Sequence, residues 1–309
     1  MTTGHAPSSR AAAVPFSAGT RRPNTAVPPR ACDCHLHVYD SRYPAAPQAK
    51  LTPPDASVAD FRQLRMRLGT TRAVFVTPST YGSDNRPMLQ ALSALGADAR
   101  GVAVIAGDET DAQLADIHAR GVRGVRLNLS LGVTNSVAML EPIGRRAAVL
   151  GWHLQLLMPP DLLATLGELL RRLNVQVVFD HFGRIAPAQA DVHPAHRLIC
   201  ELLAEGRAWM KLSGGYIVSP LRTTEDPALA ALARSYLRAA PNRIVWGSDW
   251  PHATASAGVQ PLPDDARQID CLAAWTADAD LLHRVLVDNP RALYGFDAST
   301  PFTSSDSQT

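Results

Sequence analysis

Val175-Gln176-Val177-Val178-Phe179-Asp180-His181-Phe182-Gly183 is a short apolar run, rich in β-branched residues, that stops at an acid and a histidine. A run apolar on both faces reads as a strand buried between two layers, since a strand with one wet side would alternate. Downstream, residues 198–205 carry helical periodicity and end at Gly206, which suits the left-handed position after a helix, and residues 208–212 are again short and apolar. The same alternation extends in both directions. Strands are predicted over 31–36, 73–77, 102–106, 122–127, 152–157, 175–180, 208–212 and 244–247, and helical stretches over 88–95 and 114–120 end at Gly96 and Gly121. Eight β/α units predict an α/β fold, a single (β/α)₈ barrel over residues 31–296, and such barrels need about 250 residues. The competing open, doubly wound sheet lacks its G-x-G-x-x-G after the first strand.

The flanks differ in composition. Residues 1–30, rich in Ala, Ser, Thr, Pro and Arg, read as an extended or disordered arm, wrapping either the barrel or a neighbouring subunit, and residues 297–309 as a loose tail. With 46% hydrophobic and 19% charged residues, the chain can bury a substantial core. A net charge of +2, with acids and bases interspersed, offers no basic face for nucleic acid. No apolar run is long enough to span a bilayer, and the proline-rich stretch after Arg21-Arg22 cannot supply the apolar segment of an export signal, so a cytoplasmic protein is expected. Four cysteines in a chain of 309 residues are no disulfide scaffold. Cys32 and Cys34 read as strand residues, because a zinc site would need a second pair or histidines at ligand spacing. The partner implied is a small molecule, with homo-oligomerisation left open.

In a barrel of this kind the reactive groups sit at the carboxyl ends of the strands. The first strand runs into His35-Leu36-His37, whose two-residue spacing puts both imidazoles on one side. The sixth runs into Asp180-His181 and the eighth into Ser248-Asp249-Trp250-Pro251-His252. Singly, each has an ordinary structural reading, a hydrogen-bonded histidine pair or an acid capping a helix. Together, at ends one, six and eight, they predict one convergent site. Arg126 and Asn128 share a face of strand four, and the planar guanidinium suits a bidentate grip on a carboxylate. Ser79 and Tyr81 after strand two are candidate substrate contacts or plain turn polarity, and His252 either contacts substrate or orients its loop. Lys211 is either catalytic or the partner of an acid such as Asp180. Arg123, of opposite parity to Arg126, reads as one side of a surface salt bridge, His153 as structural, and His193 and His196 as solvated helix residues.

Residues 32–40 (Cys-Asp-Cys-His-Leu-His-Val-Tyr-Asp), 178–183, 247–252 and 288–295 (Asp-Asn-Pro-Arg-Ala-Leu-Tyr-Gly) resemble the amidohydrolase-2 branch of the amidohydrolase superfamily. Residues 78–85 and 122–128 add to the likeness, which covers about 30–296. Within the branch it is similar to the 2-pyrone-4,6-dicarboxylate lactonases and their relatives, the sulfomuconolactone hydrolases, sugar lactonases and galactarolactone isomerase. The resemblance implies hydrolysis of a small carboxylated or sulfonated lactone in aromatic or sugar acid catabolism. Asp249 would act as general base on water, and His35, His37 and His181 would polarise the carbonyl. It implies no required cofactor, although the same four residues could hold a single Zn²⁺. The further ligands of the binuclear members are not offered, since strand four presents Arg126 and Asn128. The lactonases bring two more arginines, where this chain has Gly132 and Gly214-Gly215-Tyr216-Ile217; a single candidate arginine argues for one acidic substituent over a planar dicarboxylate. The alternatives are a zinc-dependent amidohydrolase or decarboxylase, a lactone isomerase, or a barrel that only binds a metabolite. Against the last, all four site residues are present.

Overall fold

A computed structural model describes residues 13–130 and 136–297. Eight strands, β1 (Cys32–Leu36), β2 (Arg72–Val76), β3 (Ala99–Ala103), β4 (Val122–Asn128), β5 (His153–Leu157), β6 (Val177–Phe179), β7 (Ala208–Leu212) and β8 (Ile244–Trp246), form one parallel sheet in that order. The seam closes where the chain leaves β8 beside β1: the Asp249 N–H donates to His35 O and the His37 N–H to Trp250 O, both at 2.8 Å. This is the (β/α)₈ barrel expected from the alternation.

Local chemistry sets the helices between strands. Val58–Leu68 opens on a reciprocal cap, with the Ser57 hydroxyl accepting from the Asp60 N–H while the Asp60 carboxylate accepts from the Ser57 N–H. Thr110 and Gln113 do the same for Asp111–Ala119. The inner faces of these helices pack on outward-facing strand residues, as Phe61 does against Phe75 at 5.6 Å between ring centroids.

The third strand is displaced from its expected place, lying at Ala99–Ala103 instead of 102–106. The apolar Val104-Ile105-Ala106 belongs to the loop beyond it. Arg100 can occupy the strand because its guanidinium lies 4.6 Å over the Phe296 ring. Arg72, at the start of β2, stacks on the same ring at 4.8 Å, and the buried Tyr294 meets His153 edge-on at 5.3 Å. The chain's last described turn therefore plugs the amino-terminal mouth of the barrel, leaving the carboxyl-terminal mouth for chemistry.

Residues 13–30 of the arm form a strap on the chain's own barrel. Ala18 N–H donates to Pro263 O, Arg67 reaches the carbonyls of Ala18 and Gly19, and the N–H groups of Asn24 and Thr25 bind Asp270. Phe16 packs edge-on against Trp250, whose indole N–H donates to Pro15 O. The strap thus touches the residue next to Asp249.

Candidate active site

His35 and His37 leave β1, His181 follows β6, and Asp249 follows β8; all four are buried at the carboxyl-terminal mouth. Their side chains converge. Asp249 Oδ1 lies 3.6 Å from Nε2 of His35, 3.8 Å from Nε2 of His37 and 3.8 Å from Nε2 of His181. Glycine at 247 is what lets β8 come this close to β1, because a Cβ there would sit 2.6 Å from the backbone N and Cβ of His35. Asp249 itself adopts φ +69°, a region costly for a residue with a Cβ. It is held there by the seam hydrogen bonds, by His252 N–H to its carbonyl at 2.7 Å, and by the Tyr216 hydroxyl, which donates to Oδ2 at 2.7 Å.

Beneath the histidines lies a second buried layer. Asp180 Oδ2 accepts from Arg126 Nε and from Gln155 Nε2, each at 3.0 Å. Lys211 Nζ donates to Gln155 Oε1 at 2.7 Å, lies 3.2 Å from His35 Nδ1 and 3.8 Å from Asp180 Oδ1. Lys211 is thus placed as the partner of an acid, one of its two expected roles. Burial brings its pKa down to about 8, with Asp180 acting against the fall. Burial works against the charge of Asp180, but His35, Arg126 and Lys211 outweigh it and hold this carboxyl well below its ordinary range.

The electrostatics separate the imidazoles from the acid. Burial pushes His37 down to about 4, Arg126 acting in the same sense and Asp249 against. His35 and His181 are lowered from the same first cause. For Asp249, burial opposes ionisation, but in acid, where the histidines take up protons, the charges of His181, His35, His37 and His252 prevail and keep it below the usual carboxylate value. The site is therefore an ionised carboxylate facing neutral imidazoles near pH 7. His37 Nδ1 lies 2.7 Å from Val76 O, which can only accept, so the proton sits on Nδ1 and Nε2 presents a lone pair to Asp249. That tautomer redirects the role expected for His37: a lone pair cannot donate to an oxyanion.

A cavity of about 310 Å³, within the range of small-ligand pockets, is lined by His37, His181, Asp249, Arg126, Arg184 and Lys50, among others. Ser79 and Asn128 also line it, joined by the Asn128 amide donating to Ser79 Oγ at 2.8 Å. Two expected contacts turn away. The Tyr81 hydroxyl is taken up by the backbone N–H and carbonyl of Asp40, and His252, fully buried, lies between the Tyr216 hydroxyl and Asp265. Of its two readings, His252 takes the orienting one. His153 sits at the barrel floor, away from the site. His196 is largely buried and bonded to Ser235, so the solvated reading fails for it, while Arg123 binds the His118 and Val122 carbonyls. Gly132 lies outside the described residues. Arg184, Lys50 and Tyr216 were not foreseen. Arg184 stands three residues after His181 in the same loop, so the rule that flags polar residues after strands could have included it.

The donor set fits a divalent ion. His35 Nε2 is buried without a hydrogen-bond partner, His37 Nε2 offers a lone pair, and the 3.6–3.8 Å separations from Asp249 exceed a hydrogen bond. Among the described residues, two sets, His35-His37-Asp249 and His35-Asp180-His181, each bring three ligand atoms within 4.8 Å of one another. Donation of the second ring nitrogen to a carbonyl, as in His37, is the usual support of a metal-binding histidine.

A family model described as amidohydrolase matches residues 32–296. The chain belongs to that family. Among curated proteins, this amidohydrolase is similar to a 2-pyrone-4,6-dicarboxylate hydrolase of Comamonas testosteroni, 33% identical over 90% of this chain and 94% of that one. It is also similar to a 4-sulfomuconolactone hydrolase of Hydrogenophaga intermedia, 30% identical over 87% and 90% of the two chains. A D-galactarolactone isomerase of Agrobacterium fabrum matches at 30% over 88% and 93%. A crystal structure of an Agrobacterium tumefaciens protein in its apo form superposes with a TM-score of 0.80 at 29% identity, covering 89% of this chain and 99% of that one.

Proposed function

We propose that this amidohydrolase hydrolyses a small lactone bearing acidic substituents, with Asp249 as general base. The observation that carries the reading is the ionised Asp249 facing three Nε2 atoms in a cavity whose lining also carries Arg126, Arg184 and Lys50. Asp249 Oδ1 takes a proton from water as the water oxygen bonds to the lactone carbonyl carbon. His181, with Ser213 Oγ 2.9 Å from its Nδ1, can hold its own proton on Nε2 and keep it there while donating a hydrogen bond to the carbonyl oxygen as negative charge develops. The ring C–O bond then breaks, and the proton on Asp249 passes to the departing oxygen. A lactone suits such a site because its leaving oxygen stays tethered.

The expectation of one acidic substituent rested on Arg126 alone. Arg184 and Lys50 supply two further cations to the same cavity, so a dianionic lactone is accommodated electrostatically, as in the names of the pyrone-dicarboxylate relatives. Arginine recognises a planar carboxylate through its paired N–H groups, and a lysine contributes a point charge.

The His37 tautomer and the partnerless His35 Nε2 favour a second reading, in which His35, His37, His181 and Asp249 hold a divalent ion. When bound, such an ion would lower the pKa of water and polarise the carbonyl. His35 then needs its proton on Nδ1, facing Asp180.

A lactone panel read by proton release, on chelator-treated protein with and without added Zn²⁺ or Mn²⁺, tests both readings. The expected result is opening of carboxylated or sulfonated lactones well above neutral ones. Turnover of no lactone with or without metal would contradict the proposal, and turnover only with metal would select the second reading.

A further inference from the structure

Behind Asp249, away from the cavity, runs a chain of buried polar groups that the hydrolytic scheme does not use. Asp249 Oδ2 accepts from the Tyr216 hydroxyl at 2.7 Å, the Tyr216 oxygen lies 3.1 Å from His252 Nδ1, and His252 Nε2 lies 3.1 Å from Asp265 Oδ2. Asp265 Oδ1 in turn accepts from Gln268 Nε2 at 2.7 Å, and the same amide nitrogen reaches Ser248 O at 3.2 Å, next to Asp249. All five side chains are buried.

From this geometry we infer that Tyr216, His252 and Asp265 form a positioning relay that fixes the rotation of the Asp249 carboxylate and assigns its two oxygens different tasks. Tyr216 has one hydroxyl proton and Asp249 can only accept, so that proton is committed to Oδ2. The phenolic oxygen is thereby left to accept from His252 Nδ1. Asp265 can only accept, so Nε2 donates to it, and His252 carries a proton on each ring nitrogen, paired with the Asp265 carboxylate. Oδ1 is left facing His35, His37 and His181, as the base. A carboxylate on a residue at φ +69° has no regular backbone to orient it, which is why a side-chain brace is needed here. The burial of the chain keeps water from competing for these bonds, and in such surroundings linked hydrogen bonds reinforce one another. The His252 ring, set edge-on to Tyr216 at 5.3 Å between centroids, also blocks the phenol from swinging away.

The inference rests on Asp249 acting as the base of the proposed hydrolysis, and its test separates the two. Tyr216→Phe, His252→Gln and the double variant are assayed on 2-pyrone-4,6-dicarboxylate, or on the acidic lactone that the wild type opens fastest. Loss of a group that orients a reactive ligand typically costs about 10–100-fold, so each single change is expected to lower kcat by that order with KM little altered. The double variant is expected to be no slower than Tyr216→Phe, because His252 acts through Tyr216. Multiplicative losses in the double variant would overturn the relay. An arm independent of turnover uses proton NMR of the folded wild type, expected to show a low-field, slowly exchanging resonance that disappears in Tyr216→Phe and shifts in Asp249→Asn. Absence of that resonance, or its indifference to Asp249→Asn, overturns the relay whether or not a lactone is opened. If no lactone is opened and the resonance behaves as expected, the hydrolytic reading fails and the relay stands.

Discussion

Lys211 Nζ lies 3.2 Å from His35 Nδ1, both side chains fully buried, while His37, two residues on, gives its own Nδ1 proton to Val76 O. An ammonium only donates, so Lys211 turns His35 Nδ1 into an acceptor and moves the ring proton to Nε2, toward Asp249. Asp180 Oδ1 stands at the same 3.2 Å from that nitrogen and competes with the lysine, drawing the proton back to Nδ1. With Lys211 as the partner of Nδ1, the two histidines of the H-x-H present opposite faces to Asp249, one a donor and one a lone pair; with Asp180 as the partner, both present lone pairs.

Lys211→Met should release His35 to carry its proton on Nδ1, toward Asp180. Histidine ¹⁵N shifts report this directly. The expected outcome is a change of the His35 tautomer with His37 unaltered, and tighter Zn²⁺ binding by calorimetry, since Nε2 gains a lone pair. An unchanged His35 tautomer would show that Lys211 does not set it.

Arg126→Lys keeps the charge but loses the planar fork and the Nε–H that Asp180 accepts. KM for an acidic lactone should rise by about tenfold or more with kcat less affected, the pattern of lost ground-state binding. Neutral lactones should be nearly indifferent to the change. A fall in kcat on charged and neutral lactones alike would place Arg126 in the chemistry.

His153 offers a pH test away from the site. Burial pushes it down to about 3, with Lys211 acting in the same sense and Asp180 against, whereas an unfolded histidine titrates near 6.5. Between these values the unfolded chain binds a proton that the folded one refuses, so the native state loses stability as pH falls from about 6.5 toward 3. His153→Phe removes that slope. Its melting temperature should gain on the wild type at pH 5 relative to pH 8, and an equal difference at both values would contradict the assignment.

The barrel was legible because its strands are short, apolar and separated by helices with clear stops, and because a polar residue after such a strand is conspicuous. That logic found His35, His37, His181, Asp249 and Arg126. It failed where a side chain's direction depends on contacts distant in sequence. Arg100 can sit near a strand start because Phe296, near the other end of the chain, supplies the ring it stacks on and the Gly295 carbonyl accepts from its guanidinium. Tyr81 and His252 lie in the right loops, yet backbone groups of Asp40 and the carboxylate of Asp265 claim them. Tyr216 stands out in the sequence only as the place of a missing arginine, and nothing local tells that its hydroxyl donates to the Asp249 carboxylate.

The acid limb of the rate profile follows from the same site. Asp249 is held below the ordinary carboxylate value, so the base stays ionised through the neutral range, and kcat/KM should fall only in acid, below the range of an ordinary carboxylate. An acid limb centred near pH 6 or above would mean that another group is the base.

The most direct measurement is kcat for the wild type and Asp249→Asn on the acidic lactone opened fastest, with binding of that lactone to the variant followed by calorimetry. The amide keeps the shape and can still accept from Tyr216 through its oxygen, but it cannot take a proton from water. A general base contributes roughly 10²–10⁴-fold, so the variant should bind the lactone and turn it over at least about a hundred times more slowly. Retention of more than about a tenth of the wild-type kcat would contradict Asp249 as the base, and with it the proposed function of the site.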